Sequence, residues 1–335
     1  VNDLQDNILQ AVDLTKQFNL SKGMFGKPSQ SLTAVDHINF SVQRGETFGI
    51  VGESGCGKST TGMMLTGLTQ PTSGRIVFEN KDISQLSREE MRKERKNIQI
   101  VFQDPYSSLN PRLKIAEIIA EPMKIHKLGT AKEINKRVDQ LLDQVGIPKS
   151  GKVRFPHEFS GGQCQRIVLA RALSLNPKLM ILDEPVSALD VSVQSQIINL
   201  LKDLQKEHSL TYVFIAHGMN VVEYMSNRVA VMYLGSIVEL TESKAIYASP
   251  LHPYTQALFS AIPTICDEIK IKPVKLEGDI PSPVNRPSGC AFHTRCPIGK
   301  DICRLQKPEL IEVRPGHQVA CHLVERQEKC FQTNQ

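Results

Sequence analysis

"GESGCGKST", residues 52–60, lies between the apolar run "TFGIV" and the helix-forming run "TGMMLTGL". The stretch fits G-x-x-x-x-G-K-[ST], a strand-to-helix loop whose backbone N–H groups cradle a phosphate. Gly52, Gly55 and Gly57 let the backbone close around an anion, so that successive amides and the helix start point at it. Lys58 would carry a positive charge to the β- and γ-phosphates of a nucleotide, and Ser59 a hydroxyl to Mg²⁺. Glu53, Ser54 and Cys56 fill the variable positions and Thr60 follows, so all of 52–60 is read as one ATP-binding loop. A chance glycine-rich turn is the competing reading, and the strand before and helix after weigh against it. The same context points to an α/β fold.

Further along, "KLMILD" precedes "VSVQSQIINLLKDLQKE", and "LTYVFIA" precedes "GMNVVEYMS". Short β-branched runs alternating with helical stretches predict a mostly parallel sheet wrapped by helices. From Ile115 to Gly146 the pattern is helical only, which predicts a helical subdomain inserted at about 104–160. The chain has 335 residues, is 40% hydrophobic and carries a net charge of +5, enough for one large domain and a small one. No apolar run reaches about 18 residues and "VNDLQDNILQ" is polar, so neither a membrane span nor a secretory leader is expected. The chain reads as soluble and cytosolic, where disulfides are disfavoured. Its charge excess is too small and scattered to imply nucleic acid.

A phosphate loop needs a metal-binding carboxylate, and "LMILDEP" supplies one at a strand end: Asp183 for Mg²⁺ and Glu184 to take a proton from the attacking water. "FSGGQCQR", 159–166, opens another helix, with Ser160 as its N-cap and Gly161 and Gly162 freeing the backbone. One nucleotide does not need two anion cradles, so the second is read as serving a neighbouring subunit.

The collinear series "GESGCGKST", "VFQDP", "FSGGQCQR", "LMILDEP", "SALD" and "FIAH" resembles the nucleotide-binding subunit of an ABC transporter, over about residues 8–262. The resemblance implies that Gln103 touches Mg²⁺ and the attacking water, and that Glu184 is the catalytic base. It implies further that His217 contacts the γ-phosphate, that Asp190 lies at a dimer interface, and that Ser160, Gly161, Gly162 and Gln163 face the partner's ATP. Phe18 aligns with an aromatic residue that stacks on adenine, with Phe25 as a rival. Each alone has a bland reading, a solvated Gln or a structural His, and the shared order is what raises them together.

Two positions depart from the family. Gly218 stands where Asp commonly follows the histidine, removing a carboxylate and adding backbone freedom. Cys56 and Cys164 lie inside the two phosphate-facing loops, read as small tolerated residues, with sensitivity to thiol oxidation as the alternative. "DPYSSLNPR", "HPYTQAL" and the cysteine-bearing tail resemble the peptide and nickel importer branch, closest to the oligopeptide or dipeptide permease ATPases. That implies a second ATPase subunit forming a heterodimer, two transmembrane permeases, and an extracytoplasmic peptide-binding protein. It also implies a peripheral place on the cytoplasmic face of the inner membrane. A nickel or other small-solute importer, or a soluble ABC ATPase, is the alternative. His252, Pro253, Tyr254 and Thr255 have no chemical role assignable from sequence.

Six of the eight cysteines and eight of the nineteen prolines fall from Pro263 onward, which predicts a domain boundary near 262 and a small cysteine-rich domain over 263–335. Its few apolar runs are too little for a core of its own. Cys290, Cys296, Cys303 and Cys321 are spaced C-x5-C-x6-C-x17-C, unlike common zinc sites. Four thiolates suit iron–sulfur or zinc, and the family resemblance implies a [4Fe–4S] cluster. Zn²⁺ is the alternative, with His293, His317 and His322 nearby and an empty set of buried thiols third. Cys266 and Cys330 are read as spectators.

Overall fold

A computed structural model describes residues 7–22, 28–260, 276 and 278–324. The chain divides into two compact units, one built on Val42–Thr47 and Gln85–Ala216, the other on Leu9–Ser41, Phe48–Ser84 and the residues from His217 onward.

In the first unit, strands Ile98–Val101, Leu179–Asp183 and Thr211–Ala216 run parallel, with Ile98 opposite Leu179 and Leu179 opposite Thr211. Every residue of the latter two strands is buried, as befits the near-continuous apolar runs of parallel strands. Between Val101 and Leu179 the regular elements are helical: Ile115–Ile125, Ala131–Gln144 and Gly161–Leu173, with 3₁₀ turns at Lys149–Val153 and Pro156–Glu158. Helix Ala131–Gln144 buries Ile134, Val138, Leu141 and Leu142, a single stripe at helical spacing, and begins with a capping box between Thr130 and Glu133. Helix Val191–His208 follows strand Leu179–Asp183 and buries Ile197, Ile198, Leu201 and Leu204.

The second unit carries two sheets. One is antiparallel, in the order Pro28–Gln43, Asn7–Lys22, Ser73–Phe78, Lys81–Asp82, with Leu9 opposite Phe78. In the other, Thr47–Val51 pairs in parallel with Arg228–Tyr233, placing Phe48 opposite Arg228 and Val51 opposite Val231. Arg228–Tyr233 then pairs antiparallel with Ser236–Glu242. The phosphate loop leaves the C-terminal end of Thr47–Val51, where ligands of such sheets bind.

Among the described residues after 276 the expected small cysteine-rich domain is not supported: strand His317–Val319 adds to Ser236–Glu242, with Glu239 opposite Val319, and Ile311–Arg314 pairs with it in turn. Ala320 donates its N–H to Val238 O at 2.8 Å. A segment with too little apolar surface for a core borrows one, completing hydrogen bonds along an existing sheet edge. The expected boundary near 262 lies outside the described residues. No helix among the described residues is long and apolar enough to cross a membrane.

Candidate functional site

The backbone of the loop has the shape its glycines permit. Gly52, Gly55 and Gly57 have φ of 153°, 78° and 105°. At Gly57 an added Cβ would lie 2.2 Å from Ala34 O, so both the conformation and the close approach demand glycine. Lys58 is buried at the start of helix Lys58–Leu65, and its Nζ donates to Gly52 O at 2.7 Å and Glu53 O at 3.1 Å. The cation is thus held inside the curl of the loop, while Ser54, Gly55 and Ser59 are exposed at its surface. Gly235 N–H donates to Cys56 O at 2.9 Å and pins the far side. The donor set suits a phosphate: backbone amides, a helix start and one fixed ammonium. Burial pushes the Cys56 thiol up, so it is not a ready thiolate.

In the other unit, Asp183 ends its strand 7% exposed. Glu184 follows with φ of 49°, a left-handed conformation costly for a side-chain-bearing residue, and its N–H donates to Ile215 O at 2.8 Å. That strain is legible in no motif. Gln103 is exposed just after strand Ile98–Val101. Ser160 caps helix Gly161–Leu173 in a reciprocal box with Gln163, Ser160 N–H to Oε1 at 3.0 Å and Gln163 N–H to Oγ at 3.4 Å. A Cβ on Gly162 would meet Val193 Cγ1 at 2.3 Å, so helix Gly161–Leu173 packs its backbone on the first turn of Val191–His208. Asp190 caps that second helix through Val193 N–H at 2.9 Å. The Cys164 thiol is wholly buried, and burial raises it to about 11. Oxidation sensitivity is therefore not favoured at either loop cysteine.

His217 is exposed. Gly218 N-caps helix Met219–Met225 with φ −81° and ψ 113°, and a Cβ there would meet nothing within 4 Å. Nothing in the backbone requires glycine at this position. Phe18 is 38% exposed on strand Asn7–Lys22, with Lys16 Nζ 5.0 Å from its ring centroid, a free aromatic face of the kind a base could use. Phe25 lies outside the described residues.

The family model described as ABC transporter matches residues 35–187, and that described as the oligopeptide/dipeptide transporter C-terminal region matches 238–303. The chain is 53% identical over 322 residues to the oligopeptide transport ATP-binding protein AppF of Bacillus subtilis, covering 95% of this chain and 98% of that one. The chain belongs to the oligopeptide/dipeptide branch of the ABC transporter ATP-binding proteins. A second relative, the putative oligopeptide transport ATP-binding protein YkfD of Bacillus subtilis, is 50% identical over 94% of this chain and 95% of its own length. Among solved structures, the dimeric post-hydrolysis state of the ATP-binding cassette MJ0796 with ADP and Pi is similar at a TM-score of 0.63 and 28% identity, over 70% of this chain and 98% of that one. CbiO1 of Clostridium perfringens, part of the transporter complex cbiONQ, gives 0.63 and 34%, over 73% of this chain and 92% of its own.

In this ABC transporter ATPase the tail cysteines Cys290, Cys296, Cys303 and Cys321 are electrostatic neighbours. Cys290 N–H donates to Cys303 O at 2.8 Å, and electrostatic interactions connect Cys290 with Cys296, Cys303 and Cys321. Burial, then the neighbouring thiols, raises Cys290 to about 11, and burial also raises Cys296 and Cys321. Among the described residues, however, no group of three or more His, Cys, Asp or Glu side chains could hold a metal ion. The histidines that kept zinc open are engaged elsewhere: His293 Nδ1 is 2.9 Å from Cys290 O, His317 Nε2 2.7 Å from Glu239 Oε1, and His322 Nε2 3.0 Å from Gln306 O. The expectation of a [4Fe–4S] cluster or Zn²⁺ on Cys290, Cys296, Cys303 and Cys321 is not supported among the described residues. Cys266 and Cys330 lie outside the described residues. Tyr254, within "HPYTQAL", and Arg295, outside the quoted motifs, reach the phosphate loop at Glu53.

Proposed function

We propose that this chain is the ATP-binding and ATP-hydrolysing subunit that energises an importer of oligopeptides or dipeptides. It works at the cytoplasmic face of the cell membrane, beneath two permease subunits fed by an extracytoplasmic peptide-binding protein, and pairs with a second, different ATPase subunit. The observation that carries the reading is the loop at 52–60, a buried lysine at a helix start wrapped by three glycines of unusual backbone conformation. The near full-length likeness to proteins named for oligopeptide transport supports the solute class.

Roles follow residue by residue. The amides of 52–60 bind phosphate oxygens and Lys58 releases its loop carbonyls to meet the β- and γ-phosphates, so binding exchanges internal hydrogen bonds for charge-assisted ones. Ser59 with its hydroxyl, Gln103 with its amide oxygen and Asp183 with its buried carboxylate would hold Mg²⁺, a hard cation that takes oxygen ligands. When bound, Mg²⁺ neutralises charge on the β- and γ-oxygens. Glu184 accepts a proton from the attacking water, and its strained backbone fixes where the carboxylate begins. His217 donates to the γ-phosphate, and the exposed ring of Phe18 stacks on adenine. Ser160, Gly161, Gly162 and Gln163 present their helix start to the partner's nucleotide; the dimeric cassette that the chain resembles supports this pairing.

Proteoliposomes holding the permeases, the partner ATPase and the binding protein test the proposal. ATP-driven peptide uptake that disappears with Lys58→Ala and with Glu184→Gln is the expected result. Uptake of nickel but not peptides by the wild-type complex would overturn the assigned solute.

A further inference from the structure

Glu53 is the second residue of the phosphate loop, and its carboxylate carries the same sign as the group the loop is built to hold. Two distant residues restrain it. Arg295 Nη1 donates to Glu53 Oε2 at 2.9 Å and Nη2 to Oε1 at 3.3 Å, a two-pronged pair with side chains 8% and 22% exposed. The Glu53 N–H donates to the Tyr254 hydroxyl at 2.9 Å. Tyr254 itself cannot drift: it is fully buried, with ring centroids 4.7 Å from Tyr233 and 5.4 Å from Phe292, and its own N–H donates to His252 Nδ1 at 3.0 Å. Glu53 O also accepts Lys58 Nζ, so any displacement of Glu53 reaches the lysine.

We propose that Arg295 and Tyr254 are positioning residues of the phosphate loop, Arg295 by neutralising the Glu53 carboxylate and turning it aside, Tyr254 by anchoring the Glu53 amide. The proposal rests on the reading of 52–60 as an ATP site. It gives a chemical role to Tyr254 within "HPYTQAL" and makes the cysteine-bearing segment part of the nucleotide machinery through the residue next to Cys296. The physical argument is charge and shape. Removing a guanidinium from a shielded pair leaves an unpaired carboxylate beside an anion cradle. A lysine restores the charge but not the planar fork.

Mg-ATP binding to the full-length protein, measured by calorimetry beside a thermal melt, tests this. Arg295→Ala is expected to weaken Mg-ATP binding about tenfold, the scale of one lost charge pair near a ligand. Adding Glu53→Gln to Arg295→Ala is expected to recover most of the loss, because it removes the unpaired charge; a merely structural role would give no such rescue. Arg295→Lys should fall between wild type and Arg295→Ala, and Tyr254→Phe should weaken binding while leaving the aromatic cluster filled. A folded Arg295→Ala that binds as wild type, or a double variant no better than the single, overturns the proposal. Should Arg295→Ala not fold, Arg295→Lys decides, since wild-type affinity in it overturns the fork. Lys58→Ala is the separate control: undiminished binding there sinks the ATP reading itself and not this inference alone.

Discussion

His317 Nε2 donates to Glu239 Oε1 at 2.7 Å, from side chains 5% and 0% exposed, and so joins the late strand His317–Val319 to Ser236–Glu242. Glu239 also accepts the N–H groups of Leu251 at 2.8 Å and His252 at 2.9 Å. This buried carboxylate accepts from three protein donors, and the C-terminal segment supplies one of them. His317→Leu is therefore expected to destabilise the protein by about 2 kcal/mol, the cost of orphaning part of a buried acceptor. Urea melts should show a lower midpoint for His317→Leu and a smaller shift for Glu239→Gln, which keeps an acceptor. An unchanged midpoint for His317→Leu would remove the pair from any part in stability.

His252 gives a pH dependence whose sign can be worked out. Burial lowers it from 6.5 to about 4, and its Nδ1 accepts the Tyr254 N–H, which only the neutral ring can do. Between those values the unfolded chain binds the proton and the folded one does not, so stability falls as pH drops from about 6.5 towards 4. The full span amounts to about 3 kcal/mol. His252→Asn, which can still accept that N–H, should flatten the acid limb; identical slopes in both proteins would refute the assignment.

Gly162 and Val193 make a steric pair. The Cβ introduced by Gly162→Ala falls 2.3 Å from Val193 Cγ1, and a β-branched side chain at a helix start has little freedom to yield. Gly162→Ala should cost about 1–3 kcal/mol through overpacking. Gly162→Ala with Val193→Ala should recover most of it, as chemical denaturation of the two variants would show. Additive losses would place the cause elsewhere.

Gly218→Asp is expected to fold without strain, since φ of −81° suits any residue and no atom lies within 4 Å of the new Cβ. Asp at this N-cap should add a few tenths of a kcal/mol to stability. With the partner subunit present, the carboxylate beside His217 should raise ATPase turnover several-fold, and an unchanged rate refutes it.

The elements most legible in sequence were those written by local rules. The loop at 52–60 declares itself through glycine spacing and the apolar strand before it, and the buried strands Leu179–Asp183 and Thr211–Ala216 through unbroken apolar runs. The capping box at Ser160 and Gln163 is likewise a short-range pattern. Less legible was the tail. Its four cysteines invited a metal, while among the described residues its contacts include a strand added to a sheet and the His317–Glu239 pair, made 78 positions apart in the chain. Lone His and Glu residues in a sequence carry no mark of such a partnership. Glu184 shows the same limit at short range, for its motif names the carboxylate but says nothing of the left-handed backbone beneath it.

Sequence by itself determined the α/β class, the phosphate loop and the order of the nucleotide motifs, because glycine spacing, side-chain periodicity and helix caps act within a few residues. Only the tertiary structure decided where the described C-terminal residues attach. Arg295 and Glu53 are 242 positions apart, and Tyr254 and Glu53 201. Whether a guanidinium meets a carboxylate across such a distance depends on strand pairing and core packing that bring the backbones together, and a local pattern does not encode that encounter.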